Sequence, residues 1–109
     1  MLGICGGVQI IGLVFGGSLK KQTEIGYYFE NFERNFLGLE GECEVYHLYN
    51  NYVDFLQLDD FVIFAKSKKG VAQAVKLKGK SMYGVLFHPE VRNKEMIMEF
   101  VNNGWNCRN

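Results

Sequence analysis

Gly3-Ile4-Cys5-Gly6-Gly7 is the stretch that decides how the rest of this chain is read. A short apolar approach, Met1 to Ile4, runs into a cysteine flanked by glycines, and Val8, Ile10, Ile11, Leu13, Val14 and Phe15 follow. That pattern outlines a strand, a sharp turn and a helix, with a nucleophile at the corner.

The residue types suit that geometry. A nucleophile lifted out of a tight strand-to-helix turn sits in a strained backbone, and neighbours without a β-carbon, here Gly3, Gly6 and Gly7, could relieve the crowding. A cysteine at a helix N-terminus feels the positive end of the dipole, which lowers its pKa and favours thiolate. The Gly6 N–H, next after the nucleophile, is placed to donate to an oxyanion. Gln9, four residues beyond Cys5, shares its helical face and could bind a polar substrate amide. The plain alternative is a buried cysteine packing as a small hydrophobe beside an ordinary glycine turn.

Composition narrows the classes. A chain of 109 residues, 48% hydrophobic, has room for one domain with one core, and disorder is not expected. Twelve acidic and twelve basic side chains cancel, so no nucleic acid and no acidic membrane surface is expected as a partner. No run approaches the ~20 apolar residues of a membrane span, and no basic-then-apolar leader opens the chain, so a soluble cytoplasmic protein is the default. The cysteines Cys5, Cys43 and Cys107 lack disulfide or zinc spacing; no metal and no cofactor is expected, and Cys43 and Cys107 read as packing residues.

Beyond the elbow, a helix over Val8 to Phe15 should stop at Gly16-Gly17. Ser18 to Lys21 reads as a short strand, Thr23 to Phe32 as an aromatic strand weakened by Gly26, and Arg34 to Gly41 as a loop. Glu42 to Leu48 alternates Cys43, Val45 and His47 with Glu44 and Tyr46, the period of a half-buried strand. Tyr49-Asn50-Asn51-Tyr52 then reads equally as a local turn or as a ligand-binding loop. Phe61 to Ala65 is a compact apolar run, and Val71 to Leu77 with Ser81 to Phe87 predicts a β-hairpin around Gly79. Lys66, Lys68, Lys76, Lys78 and Lys80 read as a solvated face that discourages edge pairing. A helix over Glu95 to Val101 has Asn93 as N-cap and Gly104 as stop; the methionines read as core filler, Trp105 as packing back, and Asn106 to Asn109 as frayed.

The predicted hairpin runs into a second chemical cluster. In an extended Phe87-His88-Pro89-Glu90 segment, residues 88 and 90 share one side, so Glu90 could hold one imidazole nitrogen of His88 and leave the other for a nucleophile's proton. Alone, the same pair reads as a strand-end histidine beside a salt-bridging glutamate.

Together the two clusters resemble the class I glutamine amidotransferases, in which a G-x-C-x-G-x-Q elbow precedes H-P-E after an apolar strand. Here these read Gly3-Ile4-Cys5-Gly6-Gly7-Val8-Gln9 and Gly84-Val85-Leu86-Phe87-His88-Pro89-Glu90. The resemblance covers essentially the whole chain. Phe87-His88-Pro89-Glu90-Val91 and Phe15-Gly16-Gly17 look most like the glutaminase of GMP synthase. It implies an α/β fold, part of a flavodoxin-like amidotransferase domain with an elbow strand and helix, several strands including a hairpin, and a C-terminal helix. It also implies catalytic Cys5, His88 and Glu90, an oxyanion donor at Gly6, and glutamine bound by Gln9 and by Asn50, Asn51 and Tyr52 in the His47 to Tyr52 segment. The ammonia released would go to a synthetase or synthase partner.

The chain departs from the family at Gly6, where a bulky residue is common, at Val8, often histidine, and near Asn50, where GMP synthases usually show Ser-His-x-Asp. It reads as a single domain over residues 1–109 lacking the family's N-terminal half, which carries a second oxyanion donor; loss of one donor costs ~10²–10³ in rate. The elbow strand would then expose an edge for a partner chain or a second copy in a homo-oligomer to cover. The alternatives are a non-catalytic interaction domain of the same ancestry, or a thiol sensor using Cys5.

Overall fold

The computed structural model describes residues 1–102, and the expectations for Gly104, Trp105, Cys107 and the last residues lie outside them. Leu2–Ile4 form β1 and Gly6–Val14 form α1, with Cys5 at the corner. The helix stops as expected: Gly16 takes φ +93, its N–H donates to Leu13 O, and the Gly17 N–H donates to Gly12 O, closing the last turn. There follow β2 (Leu19–Phe36), β3 (Leu39–Val53), a single 3₁₀ turn at Phe55–Gln57, β4 (Phe61–Lys66), β5 (Ala72–Leu77) and β6 (Tyr83–Val85). Two helices complete the described chain, α2 (Pro89–Arg92) and α3 (Lys94–Asn102).

The strands make one sheet in the order β1-β6-β5-β4-β2-β3, with β1 parallel to β6 and the other neighbours antiparallel. The predicted hairpin around Gly79 is β5 and β6, with Ala74 opposite Val85 and Lys76 opposite Tyr83. Every residue from Val71 to Val75 is buried, because β5 lies mid-sheet with apolar layers on both faces. One layer joins Val8 and Ile11 of α1 to Val53, Phe55, Phe61, Val75 and Leu86; the other joins Phe32, Val45, Ala74, Val85 and Phe87 to Met96 of α3. Neighbours such as Ala74 and Val75, or Val85 and Leu86, fall in opposite layers, as the strand period requires.

Several local expectations give way to longer elements. The Ser18 to Lys21 and Thr23 to Phe32 strands are one, β2, joined across a bulge: Lys21 pairs with Asn51 and Glu24 with Tyr49. The Arg34 to Gly41 loop is a tight hairpin turn at Leu37-Gly38 between β2 and β3, with both residues at positive φ. Asn50 and Asn51 are neither turn nor loop, since β3 continues through them to Val53; pairing with β2 outweighs their turn preference. Met96 is core filler, whereas Met1 and Met98 are exposed. Asn93 does not cap α3 with its side chain: its Nδ2 donates to Glu44 O at 2.9 Å.

The sheet curls until β3, last in the strand order, meets α1 and α2. Among the described residues no helix is long and apolar enough to cross a membrane. Close packing of α1 on β3 depends on Gly12, where an added β-carbon would lie 2.5 Å from Val53 Cγ1 and 2.9 Å from Phe55 Cζ. Alanine at this position gains up to ~1 kcal/mol of helix propensity but overpacks the core at ~1–3 kcal/mol. Gly12→Ala is therefore expected to lower the urea unfolding midpoint, and adding Val53→Ala should recover part of the loss; additive destabilisation would contradict the packing assignment.

Candidate active site

Cys5 is held in a conformation that few non-glycine residues adopt, φ 51 and ψ −102, at a cost of about 1–3 kcal/mol. The corner is pinned from the neighbouring strand: Leu2, Gly3 and Ile4 run in register with Tyr83, Gly84 and Val85, and the Cys5 N–H donates to Val85 O at 2.8 Å. Of the three glycines expected to relieve crowding, only Gly3 does so, since a β-carbon there would lie 2.8 Å from Gly7 C and 2.9 Å from Val8 N. Gly6 and Gly7 have open space at that position. The second close approach is at Gly84, where a β-carbon would run into the Val8 side chain; the sequence offered no signal for it beyond a glycine within a strand.

β1 and β6 are parallel neighbours, so Cys5 and the segment leading to His88 leave the same end of the sheet, where α/β sheets bind ligands. The extended segment ends at His88, φ −106; Pro89 occupies the first turn of α2 and Glu90 follows within the helix, not in the strand geometry expected. The pair forms nonetheless, with His88 Nδ1 2.7 Å from Glu90 Oε2. Donation from Nδ1–H to this carboxylate leaves Nε2 with its lone pair free to accept a proton.

The third wall is β3. Leu48 O accepts from Cys5 Sγ at 3.6 Å, Asn51 O accepts from Gln9 Nε2 at 2.7 Å, and Tyr46 O accepts from the His88 N–H at 2.8 Å. Of the expected substrate-binding residues, Asn51 meets the elbow through its carbonyl, while Asn50 Oδ1 takes a bond from Thr23 Oγ1 of β2 and Tyr52 packs against the α1 layer. Leu48 was not singled out by sequence, because a main-chain carbonyl leaves no residue-type signal.

The Cys5 thiol lies above its ordinary range: burial pushes it up most, the Gly6 N–H opposes this, and the Glu90 carboxylate adds to the rise. The expectation of a thiolate-favouring helix end is thus reversed by desolvation, and the resting thiol needs a base. Among the described residues no group of three or more His, Cys, Asp or Glu is arranged to hold a metal ion. Because the thiolate form fills only above the thiol's pKa, the rate of Cys5 alkylation by iodoacetamide, followed by peptide mass spectrometry, is expected to rise through an inflection above pH 9.0, the ordinary value. An inflection below that value would contradict the dominance of burial.

The family model for glutamine amidotransferase class-I matches residues 1–107. GMP synthase (glutamine-hydrolyzing) from Bacillus mycoides (strain KBAB4) is 31% identical over 124 residues, and so is that from Bacillus anthracis; each alignment takes in 100% of this chain and 24% of the relative. The chain thus spans about a quarter of the length of these relatives. A GMP synthase subunit from Thermoplasma acidophilum superposes with TM-score 0.86 at 29% identity, covering 98% of this chain and 58% of that one. A glutamine amidotransferase from Thermotoga maritima shares the fold, with TM-score 0.71 at 24% identity over 93% of this chain and 46% of its own. With an elbow cysteine, a strand-end His-Pro-Glu and this fold in one polypeptide, the chain belongs to the class-I glutamine amidotransferase family.

Proposed function

We propose that this chain hydrolyses the side-chain amide of glutamine through a thioester on Cys5 and passes the ammonia to a synthetase of the GMP-synthase type. The observation that carries this reading is the in-register parallel pair β1 and β6, which sends the Cys5 corner and the His88–Glu90 pair out of one end of the sheet. The similarity to GMP synthases supports the acceptor class.

In this mechanism Cys5 Sγ attacks the carboxamide carbon while His88 Nε2 takes the thiol proton, which the raised thiol pKa makes necessary. The carbonyl oxygen becomes an oxyanion facing the Gly6 N–H, which lies beside Cys5. The tetrahedral intermediate collapses as His88 returns its proton to the departing nitrogen, so ammonia leaves and a glutamyl thioester remains. Water then attacks the thioester with His88 again as base, and glutamate departs as the thiol is restored. Glu90 holds the His88 ring and stabilises its charged form in each half-reaction. Gln9, whose Nε2 donates to the Asn51 carbonyl, would contact the bound glutamine.

Ammonia release from glutamine, measured by a coupled dehydrogenase assay, tests the reading. Cys5→Ala is expected to fall to background and His88→Asn to lose ~10²–10⁴ in rate, with Glu90→Gln losing less. Turnover that survives Cys5→Ala would refute the assignment.

A further inference from the structure

Beside the site, but not part of the chemistry above, lies a buried polar cluster that spans three strands. Glu24 Oε1 accepts from the Tyr49 hydroxyl and from His47 Nδ1, the latter at 2.9 Å. Gln73 Nε2 of β5 donates to the same hydroxyl at 3.2 Å. Glu30 Oε2 lies 3.1 Å from His47 Nε2, within ion-pair distance but out of line for a hydrogen bond. The Tyr28 ring stacks on His47 at 4.4 Å, and Gly26 sits opposite His47 in register. His47 is 0% exposed, Tyr49 3%, Glu30 5% and Glu24 9%. Burial and the Glu24 carboxylate push the Tyr49 phenol up, so its hydroxyl remains a donor.

We propose that Glu24 is a positioning residue of this site: through Tyr49 and His47 it fixes the β3 carbonyls that hold Cys5, Gln9 and the His88 backbone. The inference rests on the glutaminase reading and adds a residue to it. Residues 47 and 49 alternate with 46 and 48, whose carbonyls accept from His88 and Cys5, and Asn51 follows two positions after Tyr49, so anchoring their side chains sets the strand's height and roll against the elbow. The main-chain ladder does not do this unaided. Between the Lys21–Asn51 and Glu24–Tyr49 pairs, Gln22 and Thr23 of β2 face Asn50 alone, a bulge that interrupts the pairing beside the Leu48 and Asn51 carbonyls. Glu24 is the first paired residue after that interruption, and its carboxylate takes both donors from β3. A carboxylate this buried is costly unless it accepts such bonds, and the two that Glu24 Oε1 accepts from β3 favour one arrangement of the two strands, although His47 Nε2 and Gln73 Oε1 have no aligned partner.

The test uses 6-diazo-5-oxo-L-norleucine, a glutamine analogue that alkylates thiols, and iodoacetamide, which needs no substrate pocket, both read at Cys5 by mass spectrometry below the melting temperature of every variant. Glu24→Gln is expected to slow labelling by the analogue about 10–100-fold, the scale of a misplacement near 1 Å, with iodoacetamide labelling changed less than about threefold. Glu30→Gln, which removes no aligned bond, should stay within about threefold for both reagents. If Glu24→Gln does not fold, Tyr49→Phe, which removes the hydroxyl shared by Glu24 and Gln73, replaces it and should slow the analogue by about 3–30-fold. Wild-type labelling by the analogue in the folded variant overturns the proposal, and so does an equal loss with both reagents, which marks a general loosening. Failure of the wild-type protein to react with the analogue at all sinks the glutaminase reading instead.

Discussion

The free edge of β3 is what makes a site out of the separate parts of this fold. A sheet edge presents unpaired carbonyls, and here three of them, on Tyr46, Leu48 and Asn51, accept from the His88 N–H, the Cys5 thiol and the Gln9 amide. Strands twist, and a twisted sheet of six strands with a bulge in its longest ribbon curls until its last strand meets the helices packed near its first. Elements at opposite ends of the strand order thereby become neighbours across the elbow.

The same arrangement accounts for how Cys5 is kept strained and unreactive at rest. The left-handed corner is over-determined by the β1–β6 register, by the Val85 carbonyl and by the missing β-carbons at Gly3 and Gly84. Covering the corner with β3 removes water from the thiol, and that desolvation outweighs the Gly6 N–H. The parallel pairing carries the His88 segment out of the same end of the sheet as this protected thiol.

Buried charge between β2 and β3 has a different character from the surface pairs. Lys20 with Asp54, at 3.4 Å, is a half-exposed contact of the kind that contributes ~0–1 kcal/mol. Glu24, Glu30 and His47 are shut away between strands, where an unmatched group would cost far more than a matched one stabilises. Their value is in choosing one alignment of β2 on β3, and a bulge is the place where such a choice is needed.

Three things were decided by local sequence: the corner, the hairpin and the pair. Glycine around Cys5 and the apolar run from Val8 are written in neighbouring residues, and so are the β5–β6 hairpin and the closeness of His88 to Glu90 two positions on, because each depends on backbone geometry within a few residues. Partners far apart in the chain were not legible. Asn50 and Asn51 are turn formers by type yet lie in a strand, Arg34 to Gly41 closes a hairpin in two residues, and Gly84 is needed for a side chain seventy-six positions earlier, at Val8. The Glu24 cluster and the Leu48 carbonyl belong to the same class. Residue types dictated that a thiol would stand at a bend and an imidazole at a strand end; only the curl of the sheet decided which backbone would face them, since contact between distant segments is settled by packing and register, and neither is visible in a local pattern.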